Sequence, residues 1–420
     1  MSSWRFSRVD VLAIAASFTT YFAMYAWRKP FSAASWSGPV DFAGIVIDEK
    51  VLYVVAQVLG YATSKFLGVK VISEIGRAGR ARAILGCIAV AHLALLGFAA
   101  FPLWARVVCM FFNGLSLALI WGLVYGFLEG RRTSDLLGAG LSASFILASG
   151  FVKSVGSGLL DAGVSPRWMP AGTAALFIPA LLIGVYGLTR LPPPTPEDEA
   201  ARVPRVPMHA AQRADFLRRT WPGLIPLILL YVVLTALRDY RDNWAPELWR
   251  GLGETDTGWW MTVGEVPVAI AALAAIAALQ TARNNRQGLF AVHGLIALGA
   301  LIILGAIGTW TLGLLSPPLL MIGVGLGLYV AYVPFGCALF DRLVAALGTP
   351  ANAGFLVYLA DSFGYLGAVG LLMYRTTRGG EAPSLSFFLT AAGIGATVVL
   401  VCVAIAGAFW ARATREAPVR

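Results

Sequence analysis

Arg28 and Lys29 stand side by side in YFAMYAWRKPFSAASW, where an apolar run ends at Pro30. Much later in the chain, YVVLTALRDYRDNWAPELW repeats part of the pattern: Tyr231 precedes Arg238 at the spacing by which Tyr21 precedes Arg28, and Ala236 matches Ala26. A guanidinium is always charged and binds phosphate or carboxylate through a planar fork of N–H donors. At about 100° per helical residue, Tyr21, Tyr25 and Arg28 share one face, as do Tyr231, Thr235, Arg238 and Asp242. Two arginines on matching faces of matching helices suit a dianion. The blander alternative has Arg28 snorkelling to the membrane interface and Arg238 pairing with Asp242 one turn on. Lys29, on a different face, reads as a snorkelling or interface residue.

The other ionisable residues within apolar runs are Lys65, Lys153, Asp239, Glu265 and Asp361, with Arg241 and Asp242 at a helix end. Each costs ~2.5 to 3.5 kcal/mol on insertion scales and is read as functional or paired. Catalysis lacks its usual parts. Cys87, Cys109, Cys337 and Cys402 fall in separate expected helices, and His92, His209 and His293 are dispersed, so neither a metal site nor a triad is expected. The glycines Gly114, Gly122, Gly126, Gly138, Gly140, Gly323, Gly325 and Gly327 read as helix-packing positions, since no P-loop run of Gly, Lys and Ser/Thr occurs. No cofactor is expected, and an enzyme is not.

The elements that must carry these residues are set by composition. The chain has 420 residues, 58% hydrophobic and 13% charged, with a mean hydropathy of +0.74, which places it in a bilayer. About twelve apolar runs are long enough to cross one. They lie near residues 9–28, 50–69, 83–101, 105–128, 137–160, 168–189, 221–240, 257–280, 288–309, 313–340, 350–373 and 385–410. The first run leads into RKP and further structure, so it reads as a span and not as a cleaved signal. The net charge of +10 is a topology signal, because most Lys and Arg, including Arg77, Arg80, Arg82, Arg131 and Arg132, fall on one side. That side is the cytoplasm if both termini are cytoplasmic, and no nucleic-acid partner is expected.

The tract LPPPTPEDEAARVPRVPMHAAQRADFLRR interrupts the apolar pattern once and suits a solvated linker. It divides the chain into an N-terminal half at 1–190, a linker at 191–219 and a C-terminal half at 220–420. GLSLALIWGLVYGFLEGRR from Gly114 and GLGLYVAYVPFGCALFDRL from Gly325 also correspond, at nearly the offset of the Tyr/Arg pair. The expected fold is therefore all-α, with two pseudo-symmetric bundles of six membrane helices. By analogy of fold, that is the architecture of the major facilitator superfamily.

Three tracts resemble one branch of that superfamily, the organophosphate:phosphate antiporters. YAWRKPFSAA is similar to the branch's first helix, RDYRDNWAP to its seventh through Arg238, Asn243, Trp244 and Pro246, and Ser64, Lys65 and Phe66 to its second. The resemblance implies Arg28, Arg238 and Lys65 as anion ligands, and exchange of an organophosphate for inorganic phosphate by alternating access. One departure is visible: the glycerol-3-phosphate members carry a histidine in the fifth helix, where ILASGFVKSVG has Lys153.

On this reading Tyr21, Tyr25, Tyr231 and Trp244 shape the cavity around a small anionic solute such as phosphate or a sugar phosphate. Superfamily geometry sets Lys65 against Asp361 and Lys153 against Glu265, as gates that hold one access state or as plain neutralising pairs. Glu265 or Asp361 is alternatively a proton carrier. The expected molecule is a monomer in the cytoplasmic membrane, surrounded by lipid. A proton-coupled symporter of a carboxylate or other polar solute, and a transporter-like sensor without flux, are the alternatives.

Overall fold

The computed structural model describes residues 7–36, 38–128, 134–193, 195, 210–282, 284–348, 353–377 and 385–415. Arg131, Arg132, His209 and most of the expected linker lie outside these residues. The chain forms two compact units, Met1–Val203 and Pro204–Arg420.

In the first unit, α1 (Arg8–Met24) starts at a capping box in which Ser7 and Asp10 exchange hydrogen bonds, and it runs into a 3₁₀ turn, Tyr25–Trp27. Pro30 ends it. Proline has no N–H and disfavours helix in the residue before it, and the chain tightens into a second 3₁₀ turn, Pro30–Ala33. A β-hairpin follows, Pro39–Phe42 paired with Ile45–Asp48, through a turn with Ala43 at φ 55° and Gly44 at φ 81°. The sequence reading contained no strand. Asp48 then caps α2 (Glu49–Glu74), accepting from the N–H groups of Lys50 and Val51. The unit continues with α3 (Arg77–Ala100), α4 (Leu103–Leu117), α5 (Ile120–Leu128), α6 (Ser134–Asp161), α7 (Met169–Leu176) and α8 (Ile178–Thr189).

The second unit opens with α9 (Ala210–Asn243), so the stretch 210–219, expected as linker, forms the first turns of this helix. It continues with α10 (Ala245–Gly251), α11 (Thr257–Val263), α12 (Glu265–Ala278), α13 (Asn285–Thr311), α14 (Pro317–Pro334), α15 (Phe340–Leu347), α16 (Ala353–Thr377) and α17 (Leu385–Ala413). Among the described residues, nine helical segments are long and apolar enough to cross a membrane, or ten if the bent pair α7 and α8 is one span. The second and fifth expected spans are also helices, α2 and α6, of 26 and 28 residues. The runs of α2 and α6 are interrupted by charge, with Glu49, Lys50 and Lys65 in the first and Lys153 in the second.

Close helix contacts rest on glycine, because lipid offers no hydrophobic drive between helices and backbones must approach for dispersion to act. A methyl group added at Gly60 would overlap the Phe111 carbonyl, and one at Gly114 the Gln57 carbonyl, so α2 and α4 touch backbone to backbone. Gly299 and Gly327 do the same for α13 and α14. Gly126 and Gly325, also expected to pack helices, instead receive the guanidinium groups of Arg80 and Arg241.

Gly114→Val and Gly327→Val should each destabilise the folded protein by at least about 1 to 3 kcal/mol, since backbone must move to admit the side chain. Gly308→Ala meets open space on a helix and should leave stability unchanged or raise it by up to ~1 kcal/mol. Thermal unfolding in detergent measures all three, and equal midpoints would refute the close-approach account.

Candidate functional site

The helix break at Pro30 leaves carbonyl groups without backbone donors. The N–H groups of Arg28 and Lys29 both turn back to the Tyr25 carbonyl at 3.0 Å, and that of Ser32 goes to Lys29. The carbonyls of Trp27 and Arg28 are satisfied by side chains from other helices. Asn113 of α4 donates to the Trp27 carbonyl at 3.1 Å, and Gln57 of α2 donates to the Arg28 carbonyl at 3.0 Å. The same Gln57 amide donates to Asn113 Oδ1 at 2.8 Å, so one side chain orients the other. Inside a bilayer an unmet carbonyl costs several kcal/mol, which makes these two amides the condition for an unwound segment there.

Held this way, Arg28 is only 5% exposed, and its guanidinium carbon lies 4.1 Å from the centre of the Tyr61 ring and 5.7 Å from that of Tyr25. Lys65, one turn after Tyr61 on α2, places its Nζ 5.8 Å from the same Tyr61 ring and 5.7 Å from Trp121. Two of the three expected anion ligands therefore share one aromatic ring. Tyr21 packs edge-on to Tyr25 at 5.7 Å. Arg28 does not snorkel, and neither does Lys29, which is 2% exposed. The interface reading of Lys29 is thus overturned: the turn before Pro30 folds the chain inward and takes the lysine with it. Lys153 on α6 is buried as well.

In the second unit Arg238 lies 4.1 Å over the Tyr332 ring and pairs with Asp239 at 2.9 Å. Asp239 is thus its ion partner, where one-turn spacing had pointed to Asp242. Tyr231 donates to the Asp361 carboxylate and lies 3.0 Å from the Tyr332 hydroxyl. A phenol has one proton, so with Tyr231 donating to Asp361 the Tyr332 hydroxyl donates to Tyr231. Glu265, at the start of α12, pairs with Arg241 at 2.7 Å, and Arg241 also donates to the Met321 carbonyl at 3.2 Å. Trp244 is fully buried and stacks on Tyr240 at 5.1 Å, in a cluster with Phe388. It packs just past the end of α9.

Gln57, Asn113, Tyr61, Trp121 and Tyr332 were not singled out in the sequence. Gln57 and Asn113 carry a readable signal, since uncharged amides in apolar runs are the natural donors for carbonyls that a proline must strand. The tyrosines gave none beyond their type. Among the described residues no group of three or more His, Cys, Asp or Glu could hold a metal ion.

A family model described as "Family of unknown function (DUF5690)" matches residues 30–413, and the chain belongs to that family. No curated protein matches the chain in sequence. Among solved structures it is similar to the nucleoside transporter NupG, at 14% identity and a TM-score of 0.61 over 95% of this chain and 99% of that one. A D-xylose-proton symporter matches at 13% identity and 0.58, over 94% and 96% of the two chains. The inward-open xylose transporter XylE from E. coli matches at 12% and 0.59, over 94% of each. The fold is that of the major facilitator transporters.

Asn113→Leu removes the donor to Trp27 and strands the Gln57 amide, and should destabilise the protein by about 1 to 3 kcal/mol. Thermal unfolding of the purified variant reads the loss. A midpoint equal to that of the wild type would mean that other groups satisfy the broken helix.

Proposed function

We propose that this member of the family is a secondary active transporter that moves a small organic anion by alternating access. The observation that carries the reading is the pair Arg28 and Lys65 on the single ring of Tyr61, set at a helix break among membrane helices. Positive charge concentrated there is expensive and has a purpose if an anion is its partner. A cation over an aromatic ring gains about 0.5 to 2 kcal/mol, and a guanidinium and an ammonium brought to one ring suit a phosphate or carboxylate as ligand.

An organophosphate exchanged for inorganic phosphate is the finer proposal, supported by the tracts around Arg28, Lys65 and Arg238. Arg28 holds the anion with its planar fork, and Lys65 adds a point charge. Arg238 of the second unit is also proposed as an anion ligand, its strength reduced by its pairing with Asp239. Lys153, Glu265 and Asp361 are the groups proposed to couple solute binding to the change of access. The proposed location is the cytoplasmic membrane, with both termini in the cytoplasm.

A thermal-shift screen of purified protein against sugar phosphates, glycerol phosphate, phosphonates, carboxylates and inorganic phosphate finds the anion, because ligands of the folded state raise its apparent stability. Arg28→Lys keeps the charge and loses the fork, so affinity for that anion should fall by roughly ten- to a hundred-fold. Lys65→Gln should weaken binding as well, and Arg238→Lys less than Arg28→Lys. Arg218→Gln, on an exposed side chain, serves as the control. Wild-type affinity in folded Arg28→Lys and Lys65→Gln variants would reject the assignment.

A further inference from the structure

Lys65 poses a problem of placement that Arg28 does not. A guanidinium is a rigid planar fork, whereas a lysine ammonium is a point charge at the end of a flexible four-carbon stem. In a bilayer such a stem reaches toward the headgroups unless the fold holds it. Lys65 stands nine residues before the end of α2 at Glu74, about 14 Å along the helix axis, and is only 6% exposed. Its ammonium therefore stays inside the protein, at a definite place.

Two rings from different helices mark that place. Nζ lies 5.8 Å from the centre of the Tyr61 ring and 5.7 Å from that of Trp121, both within the ~6 Å over which a ring face attracts a cation. Tyr61 precedes Lys65 by one turn of α2, so their proximity follows from helical spacing alone. Trp121 belongs to α5, and only folding brings it to Lys65. Of the aromatic side chains, tryptophan also attracts a cation most strongly.

Trp121 is itself fixed. Ile120, Leu123, Val124, Phe127 and Leu128 form the buried side of α5 and set the rotation of the helix. Trp121, Gly122, Tyr125 and Gly126 make up the rest of it, so each of the two rings has a glycine beside it. One turn apart, the rings stack at 5.0 Å with their planes 6° apart, and each holds the other's orientation. Contacts thus run from Arg28 to Tyr61, Lys65, Trp121 and Tyr125, with cation and ring alternating as far as Trp121.

We propose that Trp121 is a positioning residue for anion binding: with Tyr61 it forms a two-ring seat that keeps the Lys65 ammonium at the ring Arg28 occupies. The proposal rests on the reading above of Arg28 and Lys65 as anion ligands. Trp121 touches no solute in this arrangement, and its effect passes through Lys65.

A double-mutant cycle on the full-length purified protein tests the seat, with inorganic phosphate, glycerol phosphate and malonate as probes titrated by calorimetry. Trp121→Leu should weaken binding by roughly three- to tenfold where Lys65 is present, the loss of one ring face. In the Lys65→Gln background the same substitution should change affinity by less than about twofold. Trp121→Phe, which restores a ring, should recover most of the loss. A merely structural role would weaken binding alike in both backgrounds. Should Trp121→Leu fail to fold, Trp121→Met, whose flexible side chain fills irregular space, takes its place in the cycle. Equal losses in both backgrounds, or no loss beside Lys65, would overturn the seat, while weaker binding in Lys65→Gln would leave the anion reading standing. An unaltered affinity in Lys65→Gln would remove Lys65 from the site and the seat with it. If the wild type binds none of the three probes, the anion reading fails, and the seat, which has no role without it, is rejected too.

Discussion

Much of the first unit depends on two hydrogen bonds from side-chain amides to the carbonyls that Pro30 strands. Asn113 and Gln57 reach the Trp27 and Arg28 carbonyls because α2 and α4 are in backbone contact at Gly60 and Gly114. The dependence runs in one direction. Small residues bring the helices together, the contact aims the amides, the amides permit the unwound turn, and the turn puts Arg28 over Tyr61. In water a broken helix end would be solvated at little cost, whereas in lipid each stranded carbonyl costs several kcal/mol and must be met from within.

The repeated arginines reach similar environments by different means. Each guanidinium lies 4.1 Å from a tyrosine ring, but the ring under Arg28 comes from α2 and the ring under Arg238 from α14. Arg238 also pairs with Asp239, the next residue in sequence, where the residue after Arg28 is Lys29. Coulomb attraction at such separations exceeds the gain from a ring face. The two arginines therefore stand over like rings and are followed by residues of opposite charge. The resemblance of YFAMYAWR to YVVLTALR carried the first property and said nothing of the second.

That difference marks how far the sequence could be read. Helices stand at every apolar run, because twenty apolar residues with few charges have few other solutions in a bilayer. The burial of Arg28, Lys65 and Arg238 followed from the rarity of charge in such runs. Lys29 was misread because periodicity was extended through a turn that Pro30 had already broken, where facing by 100° steps no longer holds. Tyr332, Gln57 and Asn113 act through partners far away in sequence, as Tyr61 does toward Arg28, and spacing along one helix is blind to those. The short hairpin escaped notice for another reason: four residues a strand give no hydropathy signal beside runs of twenty.

Gly325 holds a guanidinium where a methyl group would stand, with Arg241 Cζ 2.7 Å from that position. Arg241 therefore fills the volume of a missing side chain on another helix, and the two positions amount to one shape divided between α9 and α14. Evolutionary change at either is constrained by the other. A lineage that acquires even an alanine at 325 has to shorten or redirect residue 241, and Glu265 then loses its partner. Across relatives, positions 241, 265 and 325 are expected to vary as a single character, and aligned sequences would display that linkage as correlated substitution.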